Sequence, residues 1–100
     1  GIKYQEVFHQ SEKEFSKYNF EFANTENLFK IFNLHETEAK NLAQNNVSLP
    51  AYDQCLKASH VFNLLDARGA ISVAERAEYI IRIRNIVKLA AEVWIETQKV

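Results

Sequence analysis

The residue types in this chain that could carry chemistry are three histidines (His9, His35 and His60), one cysteine (Cys55), and an acid and a base on either side of a glycine, Asp66 and Arg76 around Gly69. A tetrahedral metal site needs its ligands on one face. Cys55 and His60 stand five apart, which puts them on different sides of a helix, and the histidines show no H-x-x-x-H spacing. A nucleophile with its base and orienting acid needs a scaffold that brings the three together, and nothing in the pattern positions one. There is no glycine-rich loop to cradle phosphate. His35 falls in the middle of an apolar stripe, so the expected state is a packed histidine bonded through one nitrogen rather than a ligand or a base. The sequence therefore predicts no catalytic, cofactor-binding or metal-binding residue in this segment.

Asp66 and Arg76 belong to the corner between the two most periodic segments. Gly69 sits where an apolar helical pattern ends, the position at which a left-handed stop is needed. Three residues later Ser72-Val73-Ala74-Glu75 matches the S-x-x-E capping box, in which serine and glutamate each satisfy a free backbone N–H. One helix stops and the next starts within a few residues, which makes them antiparallel neighbours. On the first of these helices Ala51, Cys55, Ala58, Phe62 and Leu65 share a face, together with Asp66. On the second the apolar face is Ile80, Ile83, Ile86, Val87, Ala90, Ala91 and Trp94, with Arg76 near its centre line. Asp66 and Arg76 are thus expected to project inward and pair, and Asp66, Gly69, Ser72, Glu75 and Arg76 to act together as a structural lock.

One hundred residues with 47% hydrophobic content suit a single folded domain spanning 1–100. Two glycines and one proline leave little material for hairpins, so the expected class is all-α. A net charge of −1 gives no bulk pull toward nucleic acid or an anionic membrane. The lone Cys55 reads as a small core residue in a reducing compartment. No apolar run approaches the ~20 residues of a membrane span, and no secretion signal is expected at the start. Gly1-Ile2-Lys3 has the look of a cut from something longer.

In chain order, Tyr4 to Lys17 places Tyr4, Val7, Phe8, Ser11 and Phe15 at helical spacing and predicts an amphipathic helix. Tyr18-Asn19-Phe20-Glu21-Phe22 breaks that pattern. It reads either as a docking surface or as a connector pinned by Phe20 and Phe22 in the core. Asn24 or Thr25 can cap a second helix running to about Gln44, with Glu26 in its favourable first turn. Its apolar stripe is Leu28, Ile31, Phe32, His35, Ala39 and Leu42, and Glu26–Lys30 and Glu36–Lys40 are expected as ion pairs one turn apart. Asn45-Asn46 ends it. Ser48-Leu49-Pro50 opens the third helix, and the fourth runs from Val73 to about Thr97. Four helices with short connections predict an antiparallel four-helix, bundle-like domain.

Arg82, Arg84 and Lys88 form a basic patch on the fourth helix. Glu78–Arg82 and Lys88–Glu92 are expected as ordinary surface pairs, whereas Arg84 and Lys88 are like charges one turn apart. An external anion, RNA phosphate or a partner's carboxylate, would relieve that repulsion. Leu89 and Val93 lie off the main core face, where they either extend the core or meet a second subunit.

Tyr18-Asn19-Phe20-Glu21, Leu49-Pro50-Ala51-Tyr52, Leu56-Lys57-Ala58-Ser59-His60, the run from Phe62 to Val73, and Glu75-Arg76 resemble the C-terminal helical part of the α subunit of bacterial glycyl-tRNA synthetase, of the two-subunit type. The similarity extends from about Tyr4 to Glu96. The resemblance implies an ATP-dependent, cytoplasmic class II ligase that makes glycyl-adenylate and transfers glycine to tRNA in an α2β2 assembly. It places the catalytic domain, with its ATP and Mg, upstream of Gly1 and carries no catalytic position onto these residues, so the fragment alone is expected to be inactive. The implied role is to buttress the catalytic domain and to present surface to the β subunit or the second α subunit. Candidate contacts are Tyr18, Asn19, Phe20 and Glu21, and Arg82, Arg84 and Lys88 with Leu89 and Val93. The alternative is a module whose three bases touch the tRNA backbone; a third is a purely structural appendage.

Overall fold

The computed structural model describes residues 4–99. Within them the side chains of Tyr4, Phe8, Asn19 and Phe20, which the sequence placed in the first apolar stripe and the aromatic connector, lie outside the described set. The chain is all-α, with four helices and no strand among the described residues: α1 (Tyr4–Lys17), α2 (Thr25–Gln44), α3 (Ser48–Ala67) and α4 (Val73–Gln98).

Each junction has a local cause. Between α1 and α2 the helix first widens and then breaks: Tyr18–Phe22 forms a π-turn, closed by the Ala23 N–H donating to the Tyr18 carbonyl at 2.7 Å, and Ala23 and Asn24 are extended, with ψ of 127° and 116°. The pattern break at these aromatics is thus one wide turn. Asn24 caps α2, its Oδ1 accepting from the Asn27 N–H at 3.0 Å. At the far end Asn46 adopts a φ of 62°, and the N–H groups of Asn46 and Val47 return to the carbonyls of Ala43 and Leu42. Gly69, with a φ of 68°, does the same after α3: its N–H and that of Ala70 bond the carbonyls of Asp66 and Leu65. Both are Schellman reversals, and asparagine is the side chain other than glycine that most readily takes this conformation.

These two reversals fold α2, α3 and α4 into an antiparallel packed unit. Its core contains Leu28, Phe32, Ala39 and Ala43 from α2, Ala51, Cys55, Ala58, Val61, Phe62 and Leu65 from α3, and Ile86 and Ala90 from α4. Ile71 plugs the α3–α4 corner and Ala23 the α1–α2 junction. Of the expected face of α3, Ala51, Cys55, Ala58, Phe62 and Leu65 are buried and Asp66 is not. That of α4 is buried only in part: Ala91 and Trp94 are exposed. Both face the start of α3, where Ser48, Leu49 and Tyr52 leave a cavity instead of packing against them. Ile31, at the margin of the α2 stripe, is also exposed, while Phe29 packs against the core instead.

Among the described residues α1 touches none of α2, α3 or α4; only the π-turn reaches α3. The projecting helix explains a radius of gyration of 16.9 Å, against about 13 Å for a compact chain of this size.

Two substitutions test this account by urea denaturation. Leu65→Ala, at a fully buried site, should cost about 2–5 kcal/mol. Gly69→Ala meets no neighbouring atom, so its cost should be the backbone term alone, about 1 kcal/mol.

Candidate functional site

At the α3–α4 corner the capping box is complete. Ser72 Oγ accepts from the Glu75 N–H at 3.2 Å, and Glu75 Oε1 accepts from the Ser72 N–H at 3.1 Å. These bonds hold the Glu75 carboxyl below its ordinary range. Arg76 Nη2 and Nε both donate to Asp66 Oδ1, at 2.7 and 3.1 Å. The pair lies on the surface, however, with Arg76 49% and Asp66 31% exposed. The expected inward projection is corrected here: Ile71 occupies the inside of the corner, and the first turn of α4 carries Arg76 past it. Arg68, which the sequence left unassigned, reaches back 45 residues to donate to the Ala23 carbonyl. It ties the end of α3 to the start of α2.

The most enclosed ion pair is Arg82 with Glu36. Its Nε and Nη2 donate to Glu36 Oε2 and Oε1 at 2.9 and 2.7 Å, and Nη2 also donates to Asn33 Oδ1 at 2.7 Å. The guanidinium carbon lies 4.8 Å from the ring centres of both Phe32 and Tyr79. Tyr79 in turn meets Phe32 edge-on at 4.8 Å and stacks with Phe62 at 6.0 Å. The side chains of Arg82 and Glu36 are 34% and 13% exposed. The Arg82 hydrogen bonds hold the Glu36 carboxyl below the usual carboxylate range, against the opposing effect of its burial, and they raise Arg82 further.

This removes Arg82 from the expected basic patch. It also replaces the expected Glu36–Lys40 and Glu78–Arg82 pairs by one contact between α2 and α4. Glu26–Lys30 and Lys88–Glu92 form no ion pair either; among the described residues the remaining pairs are Asp53–Lys57 and Glu96–Lys99. Periodicity within a helix could not reveal a partner 46 residues away. Arg84 and Lys88 are exposed and make no ion pair among the described residues. Val93 packs against the core and Leu89 is partly exposed, so these two do not form a common patch with the bases.

His35 is half-buried, with Nδ1 2.6 Å from Gln54 Oε1 across the α2–α3 contact. Cys55 is buried, and burial pushes its thiol up. Among the described residues no three His, Cys, Asp or Glu side chains converge to hold a cation.

Two apolar surfaces stay uncovered. On α1 and the π-turn, Val7, Phe15, Tyr18 and Phe22 are exposed, Phe22 to 72%. The reading of Phe22 as a core pin is therefore corrected: the π-turn sends Ala23 inward in its place. Glu21 is exposed beside it. At the opposite end of the packed unit a cavity of about 300 Å³ opens between the start of α3 and the end of α4, lined by Ser48, Leu49, Tyr52, Ala90, Ala91 and Trp94. Residue spacing does not reveal this cavity, because Trp94 and Ala91 fit the core periodicity.

The fold and these surfaces define an all-α, bundle-like domain with one cross-helix ion pair inside and apolar patches at two ends. A sequence profile of the glycyl-tRNA synthetase alpha subunit matches residues 1–99. The chain belongs to that family, one of the aminoacyl-tRNA ligases of protein biosynthesis, whose alpha subunit works with partner subunits.

Double-mutant cycles should separate the two ion pairs. Glu36–Arg82 should show a coupling of about 1–2 kcal/mol, and the exposed Asp66–Arg76 about 0.5 kcal/mol or less. The depressed Glu36 carboxyl adds a pH dependence. Its stabilisation is complete above the value of the unfolded chain and lost as pH falls below about 4. The stability gap between the parent chain and Glu36→Gln, followed by thermal melts across pH, should therefore be constant near neutrality and close in acid.

Proposed function

We propose that this chain is the helical accessory module of a glycine–tRNA ligase α subunit, supporting ATP-dependent attachment of glycine to tRNA without supplying reacting groups. In this reading α1 is the arm that meets the class II catalytic domain. The packed unit α2–α4 is a rigid body set against the other subunits of an α2β2 enzyme in the cytoplasm. ATP and Mg are held by the catalytic domain. The corner formed by Asp66, Gly69, Ser72, Glu75 and Arg76 serves to fix the angle between α3 and α4.

One observation carries the reading. The core of α2–α4 closes without α1, and the apolar stripe of Val7, Phe15, Tyr18 and Phe22 is left exposed. A stripe of that size in water is costly unless something covers it. No helix of the described residues is long and apolar enough to cross a membrane, which leaves a protein surface as the natural cover.

The alternative, contact with the tRNA backbone, draws on Arg84 and Lys88, which make no ion pair among the described residues. Two contacts can change the slope of log K against log salt by only about 2.

Phe15→Glu with Phe22→Glu in the whole ligase should reduce glycylation at least tenfold, while the α2–α4 unit keeps its melting temperature. Full activity would overturn the accessory role. Arg84→Gln with Lys88→Gln should leave the salt slope of tRNA binding unchanged; a fall of about 2 would favour the RNA reading instead.

A further inference from the structure

The arm formed by α1 and the π-turn joins the packed unit at one place. Helices that lie side by side resist bending along their whole length, but α1 meets none of α2, α3 or α4 among the described residues. Its angle is therefore decided at its root. There Ala23 and Asn24 are extended between two helical segments. The Ala23 N–H bonds back to Tyr18, on the arm side, and the Asn24 carbonyl accepts from the Leu28 N–H, on the α2 side. Among the described residues no backbone hydrogen bond crosses from the π-turn to α2. A few element-terminal residues of this kind are what absorbs the dihedral change in a hinge.

Three things hold that joint. The Ala23 methyl is buried, the π-turn touches α3, and Arg68 Nη1 donates to the Ala23 carbonyl. Only the last acts on the joint's own peptide plane. The Ala23 carbonyl belongs to the peptide that links Ala23 to Asn24, and the rotations on either side of it are ψ of Ala23 and φ of Asn24. A donor fixed in space restricts both. Arg68 is such a donor, because it ends α3 directly before the Gly69 stop and so belongs to the packed unit. There is also room for the arm to turn. A polar cleft of about 430 Å³ opens beside the joint, with Glu21 and Phe22 on the arm side, Thr25 and Glu26 on the α2 side, and Arg68 at its edge. Although Glu21 and Glu26 line the same cleft, neither pairs with Arg68. The guanidinium is committed to the carbonyl.

We infer that Ala23–Asn24 is the hinge between the arm and the packed unit, and that Arg68 is the positioning residue that holds it at the angle seen. On the accessory reading above, that angle decides where α2–α4 stands relative to the catalytic domain, so Arg68 bears on glycylation without touching substrate. Only this consequence rests on that reading; the hinge does not. A role as a staple of the fold is the competing account. It is disfavoured because the core of α2–α4 is already closed by Phe32, Leu65 and Ile86 without this bond.

The test places nitroxide-bearing unnatural amino acids at Lys13 on α1 and Asn85 on α4 of the full-length subunit, both exposed positions. Pulsed EPR then reads the distance between them. The parent should give one narrow distribution. Arg68→Ala should broaden it about twofold or more at an unchanged melting temperature. Arg68→Lys keeps a cationic donor and should restore the narrow distribution. Glu21→Gln with Glu26→Gln should leave it narrow, since neither carboxylate holds the joint. A distribution equally narrow in Arg68→Ala, or already broad in the parent, would overturn the inference. So would broadening by the two carboxylate substitutions, or a marked fall in melting temperature with Arg68→Ala. The same variant in the assembled ligase should lower kcat for glycylation. Unchanged turnover beside a broadened distribution would remove the accessory reading and leave the hinge standing.

Discussion

The packed unit depends on how side-chain volume is distributed along the contact of α3 with its neighbours. Near the corner the buried residues are large: Leu28 and Phe32 on α2, Phe62 and Leu65 on α3, and Tyr79 packed against them from α4. Toward the other end they become small, with Ala39 and Ala43 facing Ala51 and Cys55, and Ala90 on α4. Large side chains fill the space between helices, whereas small ones demand close approach of the backbones. Around α3 both regimes occur within one helix length. Where the third helix of the set cannot follow, space remains, and that is where the cavity opens.

Arg82 is understandable on the same terms. A guanidinium set among Phe32 and Tyr79 would be unfavourable alone. The bidentate carboxylate of Glu36 and the amide oxygen of Asn33 satisfy it, and the aromatic faces favour the cation. Charge and packing are thus coupled at one place, and the positive surface of α4 is reduced to Arg84 and Lys88.

Local signals in the chain were legible where the physics is local. The capping box at Ser72 and Glu75, the left-handed stop at Gly69, the cap at Asn24 and the buried face of α3 each depend on residues within a turn or two, and each is visible in the spacing. What escaped was non-local. Nothing near Arg82 points to Glu36 or Asn33. Asp66 and Arg76 could be paired by proximity to the turn, but their exposure depended on Ile71 taking the interior. Trp94 and Ala91 carry the period of a core residue, yet they border a cavity at the start of α3 instead of packed side chains. Periodicity tells which face of a helix is apolar; it does not tell whether a neighbour packs against it.

The π-turn at Tyr18–Phe22 sets the phase between α1 and the packed unit. A π-turn carries one residue more than an α-turn spanning the same rise, so it rotates whatever precedes it by roughly 100° about the helix axis. Loss of a single residue there would carry α-helical winding on to the extended joint at Ala23–Asn24 and swing Val7 and Phe15 a quarter-turn or more around the arm. The caps and the core of α2–α4 would stay as they are. Chain length in that one short stretch therefore governs the direction in which the arm's apolar side faces, independently of everything that keeps the rest folded.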